Sequence, residues 1–302
     1  MCNFANMIHL SLVIATYNRA DQLMVTLASV ARQSANPNTW ECIVVDNNSQ
    51  DDTCRRVEEF AAAHPRLNIV YLFEPQQGLS YARNAGIARA EGAVIAFIDD
   101  DERIVDEFIS AYVSLFDRYP DAMAAGGKIV AEYPSGRPRW MSHFAERPIA
   151  NPMDFGDYVC RFPKHRIPGG GNMAMRRELF DRVGLFNTSL GRTGTQLIGG
   201  EESELFERIS EAGMACYYTP RAVMYHIIPA EKLTPEYFTR LAYNTGVSQR
   251  TRAMLRGGLW PLYVKECAKW VVTLLLVLIH RPAQSRYLLI MRRQITRGIL
   301  HR

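Results

Sequence analysis

The sequence lacks several patterns by which common protein classes are recognised. No Gly-x-Gly-x-x-Gly follows the first predicted strand, and no Gly-x-x-x-x-Gly-Lys loop occurs in the 302 residues, which argues against dinucleotide oxidoreductases and P-loop enzymes. The six cysteines form no Cys-x-x-Cys pair and no His/Cys cluster at zinc spacing. We therefore expect free thiols in a reducing cytosol rather than a disulfide framework or a zinc site.

Two further absences concern targeting and membrane insertion. The apolar run from Ile8 to Ala15 has no basic region before it and no small-residue cleavage site after it, so it predicts a first strand and not a signal peptide. The uncharged run from Trp270 to Ile279 has ten residues, about half of the ~20 that span a bilayer. A membrane-spanning helix is therefore the less favoured interpretation.

Acidic residues are almost absent from the end of the chain. From Arg250 onward there are 11 Lys and Arg against one acid, Glu266, so this part carries +10 although the whole chain carries +4. Residues 1–249 carry −6, from 24 basic and 30 acidic residues. This asymmetry predicts a separate basic, amphipathic helical region over residues 231–302 with an anionic partner.

An anionic membrane surface suits that region better than nucleic acid, which we do not expect as a partner. Aromatic residues suited to lipid headgroups, among them Trp260 and Trp270, occur in it, and six arginines follow Ile279. We therefore expect a helix that lies in the membrane interface. A helical hairpin packed on the rest of the chain is the alternative.

The first 101 residues alternate apolar runs with segments of helical periodicity. The runs predict strands at His9–Ala15, Glu41–Val45, Asn68–Phe73 and Val94–Ile98. The segments between them predict helices, the third of them over Tyr81–Arg89 with Ser80 as its cap. Strand and helix in alternation predict an α/β unit with parallel strands and crossover helices.

Carboxylates follow two of these strands. The fourth strand runs directly into Asp99, Asp100 and Asp101, and alternation along a strand would place Asp99 and Asp101 on one side and Asp100 on the other. Open α/β sheets bind ligands at this end of their strands, and paired carboxylates suit Mg²⁺ or Mn²⁺. A solvated acidic loop is the alternative. Asp46, after the second strand, could accept hydrogen bonds from a base or ribose, or could simply form the turn.

The second half of the chain carries two glycine-led motifs. Gly169-Gly170-Gly171-Asn172 allows the backbone to approach a ligand closely, although a tight turn also explains it. Gly199-Gly200-Glu201-Glu202 opens a predicted helix; its acids either favour the helix dipole or hold a carboxylate base at the rim of a cleft. Short strands are predicted at Cys216–Thr219 and Ala222–Tyr225, the second followed by His226.

Six short segments together match a known pattern: Val13–Arg19, Val45–Ser49, Gly78–Gly86, Phe97–Asp101, Gly170–Asn172 and Gly200–Leu205. In this order and at these separations, the chain resembles glycosyltransferase family 2, the inverting enzymes of the GT-A fold, over roughly residues 10–228. We therefore predict the α/β class, with a GT-A-type, Rossmann-like, mixed and mostly parallel sheet flanked by helices and a C-terminal helical membrane-associating appendage.

The resemblance implies a role for each matched residue. The residues expected to bind the donor nucleotide are Thr16, Tyr17, Asn18, Arg19, Asp46, Asn48, Arg83, Asp99 and Asp100. Asp99, Asp101 and His226 are expected to bind a divalent metal, Mn²⁺ or Mg²⁺. The donor sugar or the acceptor is expected to contact Gly170, Gly171 and Asn172. The family's catalytic acidic pair is usually Glu-Asp with the Asp as base. Here it is Glu201-Glu202, so Glu202 takes that place, with Glu201 as its neighbour.

The resemblance also implies a domain plan. We expect a catalytic domain over residues 1–230, made of a nucleotide-sugar-binding half (1–101) and an acceptor and catalytic half (102–230) that contains a proline-rich insertion at 134–168. The basic region over residues 231–302 then follows as a separate helical part.

The implied reaction is an inverting transfer of a sugar from a nucleotide-sugar donor, with a UDP-sugar favoured, to a saccharide or lipid-linked acceptor. A metal would assist a single displacement, and a carboxylate would act as base. The expected setting is surface polysaccharide or glycolipid assembly, peripheral on the inner face of the cytoplasmic membrane. The alternatives are a sugar nucleotidyltransferase and an inactive nucleotide-binding scaffold at the membrane.

Overall fold

The computed structural model describes residues 7–194, 198–279 and 282–301, apart from the side chains of residues 283 and 284. The chain forms two compact units. The first runs to Val130 and also contains Met153–Thr188 and Glu202–His226; the second contains Ala131–Pro152, Ser189–Glu201 and the residues from Ile227 onward. The predicted division at residue 230 differs from these units in the segments 131–152, 189–201 and 227–230, and it stays a prediction.

The strands of the described chain join one mixed sheet. In chain order they are β1 (Leu10–Thr16), β2 (Trp40–Asp46), β3 (Ile69–Phe73), β4 (Val94–Asp99), β5 (Glu102–Ile104), β6 (Ala122–Glu132), β7 (Cys160–Arg161), β8 (Met173–Arg176) and β9 (Ala215–Ile227). Their order across the sheet is β3-β2-β1-β4-β8-β6-β9-β5, with β7 paired to β9. The first four run parallel, whereas β8 pairs antiparallel with β4.

The helices of the described chain flank this sheet or form the C-terminal part. In chain order they are α1 (Ala20–Val30), α2 (Thr53–Ala63), α3 (Leu79–Arg89), α4 (Phe108–Arg118), α5 (His143–Ala150), α6 (Arg177–Val183), α7 (Glu201–Glu211), α8 (Pro235–Leu255), α9 (Trp260–Ile279) and α10 (Pro282–Leu300). The predicted mixed α/β sheet flanked by helices, followed by C-terminal helices, is confirmed.

The sheet of the first unit has an apolar core on each face, because side chains alternate along β1. Leu12 and Ile14 pack in one cluster with residues of α1 and α4. Val13 packs in the other cluster with residues of α3, α6 and α7. Burial on both faces explains why the parallel strands are continuous apolar runs, which is the pattern that predicts them.

Parallel register brings the polar strand ends to one edge. Thr16 at the end of β1 pairs with Asp46 at the end of β2, and Ala15 pairs with Asp99 at the end of β4. Side chains from the turns after these three strands therefore share the carboxyl edge, where α/β sheets hold their ligands.

Apart from shifts of one residue at the ends of β1 to β4, two predicted element boundaries differ from the structure. α3 begins at Leu79 after Gly78, whose positive φ of 145° and N–H bond to Asn47 Oδ1 (2.7 Å) end the preceding loop, so Ser80 lies inside the first turn and is not the cap. The strands predicted at residues 216–219 and 222–225 form one strand, β9. Partners on both sides of Pro220, β7 and β5, keep it extended, and extended backbone accommodates the φ of proline.

The helices of the second unit pack closely through small residues. α8 approaches α10 at Gly246, where a Cβ would collide with the backbone oxygen of Ile295, and at Gly298, where it would collide with that of Tyr243. Among the described residues, no helix has the length and apolar content needed to cross a bilayer. The five described cysteines are free thiols, and Cys2 lies outside the described residues.

Candidate active site

The turn after β1 contacts Asp100. Thr16 Oγ1 donates to Asp100 Oδ2 at 2.9 Å, and Arg19 Nη1 donates to Asp100 Oδ1 at 2.9 Å. Burial raises the pKa of Asp100 to about 6, although the positive charge of Arg19 opposes this shift. Both oxygens of Asp100 thus have partners inside the protein, and its predicted contact with a donor nucleotide stays a prediction.

The turn after β2 holds Asp46 in a fixed orientation. Asp46 is buried; its Oδ1 accepts from the N–H of Ser49 at 2.8 Å, and its Oδ2 accepts from the hydroxyl of Tyr71 at 2.8 Å. The predicted turn-forming role is therefore present. A role toward a nucleotide base or ribose stays a prediction.

The turns after β1 and β2 are joined by Asn18. Its N–H donates to Ser49 Oγ at 2.9 Å, and its Oδ1 accepts from the N–H of Gln50 at 2.6 Å. Asn18 and Asn48 have positive φ angles of 51° and 67°, a region that asparagine enters more easily than most residues. Tyr17 lies half-exposed beside them. Asn18 thus ties the turn after β1 to the turn after β2 at the carboxyl edge of the sheet.

Three carboxylates after β4 form a compact group. Asp99, Asp101 and Glu102 each offer an oxygen within 4.8 Å of the others, and Glu102 Oε2 also accepts from the N–H of Asp99 at 2.8 Å. Asp99 and Asp101 are thus close together, but Arg19 Nη1 reaches both Asp100 (2.9 Å) and Asp101 (3.4 Å), so the predicted separation of Asp100 from Asp101 stays a prediction. Burial raises the pKa of Glu102 well above its usual value, and Asp99 and Asp101 add to the shift. His226 pairs with Glu102 across β5 and β9 but lies outside this carboxylate group.

Arg83 of α3 connects the carboxylate group to the start of α7. Its guanidinium donates to Glu202 Oε1 at 2.9 Å, to Asp99 Oδ1 at 3.3 Å and to the carbonyl oxygen of Gly170 at 3.3 Å. The Arg83 side chain is only 2% exposed, whereas those of Asp99 and Glu202 are 38% and 22% exposed. One buried cation therefore holds two carboxylates whose other atoms reach the surface.

Gly170 and Gly171 are required by the carboxylates that lie against them. A Cβ at Gly170 would collide with Glu202 Oε1, and a Cβ at Gly171 would collide with the carboxylate of Glu102. The glycines thus make room for the protein's own acids. Whether a sugar also approaches this backbone stays a prediction.

Asn172 lies in the interior of the first unit. It is fully buried; its Oδ1 accepts from the hydroxyl of Tyr112 at 2.5 Å, and its Nδ2 donates to the carbonyl oxygens of Lys128 (3.0 Å) and Ala222 (2.9 Å). These bonds join α4, β6 and β9 to the glycine turn. Asn172 thereby anchors the turn, and its predicted contact with donor sugar or acceptor stays a prediction.

The acidic pair begins α7 immediately after Gly200, whose φ of 104° favours glycine. Glu201 is buried, whereas Glu202 is partly exposed and held by Arg83. Leu205, Phe206 and Ile209 on the apolar face of α7 are buried in the first unit, as their spacing predicts. Of the two glutamates, Glu202 has the exposure that a base needs to meet an acceptor.

Sequence interpretation missed Glu102 and Tyr71. Glu102 directly follows Asp99–Asp101 in the sequence, so the run of four acids indicates that it could join the carboxylate group. Tyr71 lies within β3, and only the pairing of β3 with β2 brings its hydroxyl to Asp46. The structure brings together Arg83, Asp99 and Glu202, which lie far apart in the sequence.

Comparison with known proteins gives a family match over most of the first unit. A family model described as "Glycosyl transferase family 2" matches residues 11–184, more than half of the chain. This range contains the turns after β1 and β2, the carboxylates after β4, and the glycine turn.

Curated relatives are similar over most of the chain. A glucosyl-dolichyl phosphate glucuronosyltransferase of Haloferax volcanii is 25% identical over 255 residues, which cover 81% of this chain and 77% of the relative. The succinoglycan biosynthesis protein ExoM of Rhizobium meliloti is 25% identical over 245 residues, which cover 79% of this chain and 73% of the relative.

Solved structures share the fold. The mannosyltransferase PcManGT from Pyrobaculum calidifontis, in complex with GDP-Man and Mn²⁺, superposes with a TM-score of 0.63 at 17% identity, over 97% of this chain and 86% of its own. S. aureus TarS in complex with UDP gives a TM-score of 0.55 at 19% identity, over 80% of this chain and 65% of that chain. These likenesses confirm the GT-A-type fold class.

Proposed function

The chain belongs to glycosyl transferase family 2, and on that premise we propose that it moves a sugar from a nucleotide-diphosphate donor to a hydroxyl acceptor with inversion at the anomeric carbon. The observation that carries the proposal is the guanidinium of Arg83, which contacts both Glu202 (2.9 Å) and Asp99 (3.3 Å). It links a candidate base to the carboxylates expected beside the diphosphate.

In this proposal Glu202 is the base. It removes the proton from the acceptor hydroxyl as that oxygen attacks the anomeric carbon, and a single displacement then inverts the configuration. Arg83 Nη1 donates to Glu202 Oε1 at 2.9 Å and so orients the carboxylate.

The carboxylates after β4 have the chemistry of a divalent-cation site. Asp99, Asp101 and Glu102 supply hard oxygen atoms within 4.8 Å of one another, which is the ligand type that Mn²⁺ and Mg²⁺ prefer. We propose that Asp99 and Asp101 hold the metal, with His226 or Glu102 as a further ligand. A bound metal would neutralise the negative charge of the departing diphosphate.

The surface formed by the turns after β1 and β2 is the proposed nucleotide site. Thr16, Tyr17, Asn18, Arg19, Asp46 and Asn48 belong to it. Two solved structures of the same fold bind UDP and GDP-Man, which supports a nucleotide-sugar donor here. We favour a UDP-sugar; Asp46 by itself does not select the base, because uridine, guanosine and thymidine each offer a ring N–H.

We propose an acceptor in surface polysaccharide or glycolipid assembly. The names of two relatives, a glucosyl-dolichyl phosphate glucuronosyltransferase and a succinoglycan biosynthesis protein, support this setting. A lipid-linked acceptor would place the enzyme on the inner face of the cytoplasmic membrane, and the basic C-terminal region agrees with that position.

The test is donor turnover by the purified chain. UDP-, GDP-, dTDP- and CMP-sugars would each be incubated with Mn²⁺ and with membrane lipid extract as acceptor source, and product configuration would be read by NMR. We expect one donor to be consumed, the product to have the opposite anomeric configuration, and EDTA to stop the reaction.

Retention of configuration would overturn the single-displacement proposal. Absence of turnover with every donor, in a protein that still binds nucleotide, would favour the scaffold alternative. The family match already argues against a sugar nucleotidyltransferase.

A further inference from the structure

Helix α9 buries polar residues and exposes aliphatic ones. The buried residues of α9 are Glu266 and Thr273. Its exposed surface carries large aliphatic side chains that are 52–83% exposed, namely Val264, Val271, Val272, Leu274, Leu275, Leu278 and Ile279. A surface helix in water has the opposite arrangement, with its apolar stripe facing the core. The outer face of α9 therefore suits an apolar medium.

The polar inner face of α9 is held against α10 by a hydrogen-bonded network. Arg292 Nη1 donates to both carboxylate oxygens of Glu266, at 3.2 and 3.0 Å, and Thr296 Oγ1 donates to Glu266 Oε1 at 2.7 Å. The indole N–H of Trp270 donates to Thr296 Oγ1 at 2.8 Å. This ion pair resists rotation of α9, because turning the helix would leave the buried Glu266 without its partner Arg292.

The exposed aliphatic residues form one patch, here called the aliphatic face. Val271, Leu274, Leu275 and Leu278 are three or four positions apart, so they are neighbours on the helix surface. Between Trp270 and Ile279 every residue classed as exposed is Val, Leu or Ile. Contiguous apolar surface of this kind marks an interaction site in a folded protein.

The surroundings of the aliphatic face are cationic. Lys265 and Lys269 are exposed on α9, and Arg286, Arg293 and Arg297 are exposed on α10. Within the described residues, these three arginines form no ion pair. The one acid after Arg250, Glu266, is buried in the network and does not offset them.

Charge decides between the possible occupants of the aliphatic face. A second copy of the chain would bring the same cations toward each other, which costs energy when like charges are opposed. An anionic bilayer offers acyl chains to the aliphatic face and phosphate groups to the arginines. Because the uncharged run from Trp270 to Ile279 has only ten residues, about half of the ~20 that span a bilayer, the helix would lie along the surface.

A groove beside α9 has matching chemistry. Its volume is about 630 Å³; Trp270, Val277, Leu289 and Ile290 supply apolar walls, and Arg286 and Arg293 supply guanidinium groups. We propose that α9 docks on an anionic phospholipid bilayer through its aliphatic face, with Arg286 and Arg293 binding lipid phosphate. This proposal specifies which surface would hold the protein at the membrane. It rests on the proposed function only for the nature of the acceptor.

The test is flotation of the full chain with vesicles, without donor or acceptor. Vesicles of phosphatidylcholine alone would be compared with vesicles that also contain phosphatidylglycerol, at low and high salt. We expect binding to the anionic vesicles that weakens with salt. Because no sugar chemistry is involved, failure of the reaction proposal would leave this result unaffected.

Variants at exposed positions separate the apolar and charged contributions. Leu274→Ser with Leu278→Ser should weaken partition by roughly tenfold or more, whereas Val25→Ser with Leu185→Ser, also exposed, should not. The double change Arg286→Gln with Arg293→Gln should weaken vesicle partition about 30-fold, because each basic residue near an anionic surface contributes ~1 kcal/mol. Arg118→Gln with Arg221→Gln removes the same charge from the first unit and should change partition far less.

Four results would overturn the proposal. One is absence of binding to anionic vesicles; another is binding that the Leu274 and Leu278 changes leave intact. The third is a stable dimer in sedimentation that these same changes convert to a monomer, since the aliphatic face would then be an interface between copies. Free inorganic phosphate competing away all vesicle binding would show that a phosphate group, and not a bilayer, is the ligand.

Discussion

Arg83, which the family resemblance predicts to be a nucleotide ligand, contacts two of the protein's own carboxylates. It is buried, its guanidinium lies 5.4 Å from the centre of the Phe186 ring, and its donors reach Glu202, Asp99 and the carbonyl of Gly170. A charged group at this degree of burial needs partners, and the two carboxylates supply them. Arg83 therefore couples the orientation of the proposed base to that of the proposed metal ligand.

The substitution Glu202→Gln tests the base directly. Gln has nearly the size of Glu and still forms hydrogen bonds, but it cannot take a proton at neutral pH. We therefore expect kcat to fall ~10²–10⁴-fold. Nucleotide binding, measured by calorimetry, should be retained. Glu201→Gln serves as the comparison, because Glu201 is buried. Unchanged turnover in Glu202→Gln would remove Glu202 from the base role.

The substitution Gly170→Ala tests the packing of the site. The added methyl group would meet Glu202 Oε1 and lie close to Arg83, so the ion pair must shift. Displacement of a reacting group by about 1 Å can cost ~10²-fold in rate, and we expect a loss of that order in kcat. Gly258→Ala, where a Cβ meets nothing within 4 Å, is the control. Equal activity of both variants would contradict this geometry.

Site residues were predictable where local pattern alone positions them. The closeness of Asp99 and Asp101 followed from their position at the end of a strand, whereas the contact of Arg19 with both Asp100 and Asp101 did not. The partners of Asn172 did not, because Tyr112, Lys128 and Ala222 reach it only through the order of strands in the sheet. The glycines were recognised as sites of close approach, but the groups that approach them are Glu202 and Glu102.

At the scale of elements, helices α8 and α10 are joined at their glycines. Gly246 and Gly298 let the two backbones approach within a distance that excludes any Cβ. The periodicity of α8 gave no sign of this crossing, because the contact depends on which two helices meet. Local pattern likewise predicted α3 to within two residues but not the hydrogen bond from the Gly78 N–H to Asn47 Oδ1 that ends the preceding loop.

The substitution Gly246→Ala tests the helix crossing. Its methyl group would meet the backbone of α10, which cannot move aside as a flexible side chain can. Overpacking of this kind costs ~1–3 kcal/mol, so we expect a lower melting temperature and earlier proteolysis of the C-terminal helices. Gly258→Ala should melt like the wild type. A Gly246→Ala protein as stable as wild type would mean that α8 and α10 do not cross here.

The substitution Glu266→Gln tests the network beneath α9. Removing the charge leaves Arg292 buried with a weaker partner, and loss of one member of a buried pair costs ~3–5 kcal/mol when no other group replaces it. The amide of Gln keeps some bonds, so we expect a destabilisation below that range, measured by denaturant unfolding. No loss of stability would show that the pair does not hold α9 on α10.

At the scale of the whole molecule, charge and chemistry are divided along the chain. The candidate site is built mainly from residues of the acidic part before Arg250, and the cationic surface lies in the C-terminal helices. Composition alone revealed this division, and the ordered motifs revealed the family. The participation of residues 131–152 in the second unit was not predictable, because it follows from contacts between distant segments.

The most direct measurement of the central claim is the melting temperature of the purified protein with UDP, GDP, dTDP or CMP, each with Mn²⁺, Mg²⁺ or EDTA. A ligand at 100 times its Kd stabilises by ~2.7 kcal/mol, which a melting curve resolves. We predict a rise for one nucleotide, lost with EDTA and in Asp99→Asn but kept in Glu202→Gln. No rise for any nucleotide, or a rise that survives both EDTA and Asp99→Asn, would contradict the account.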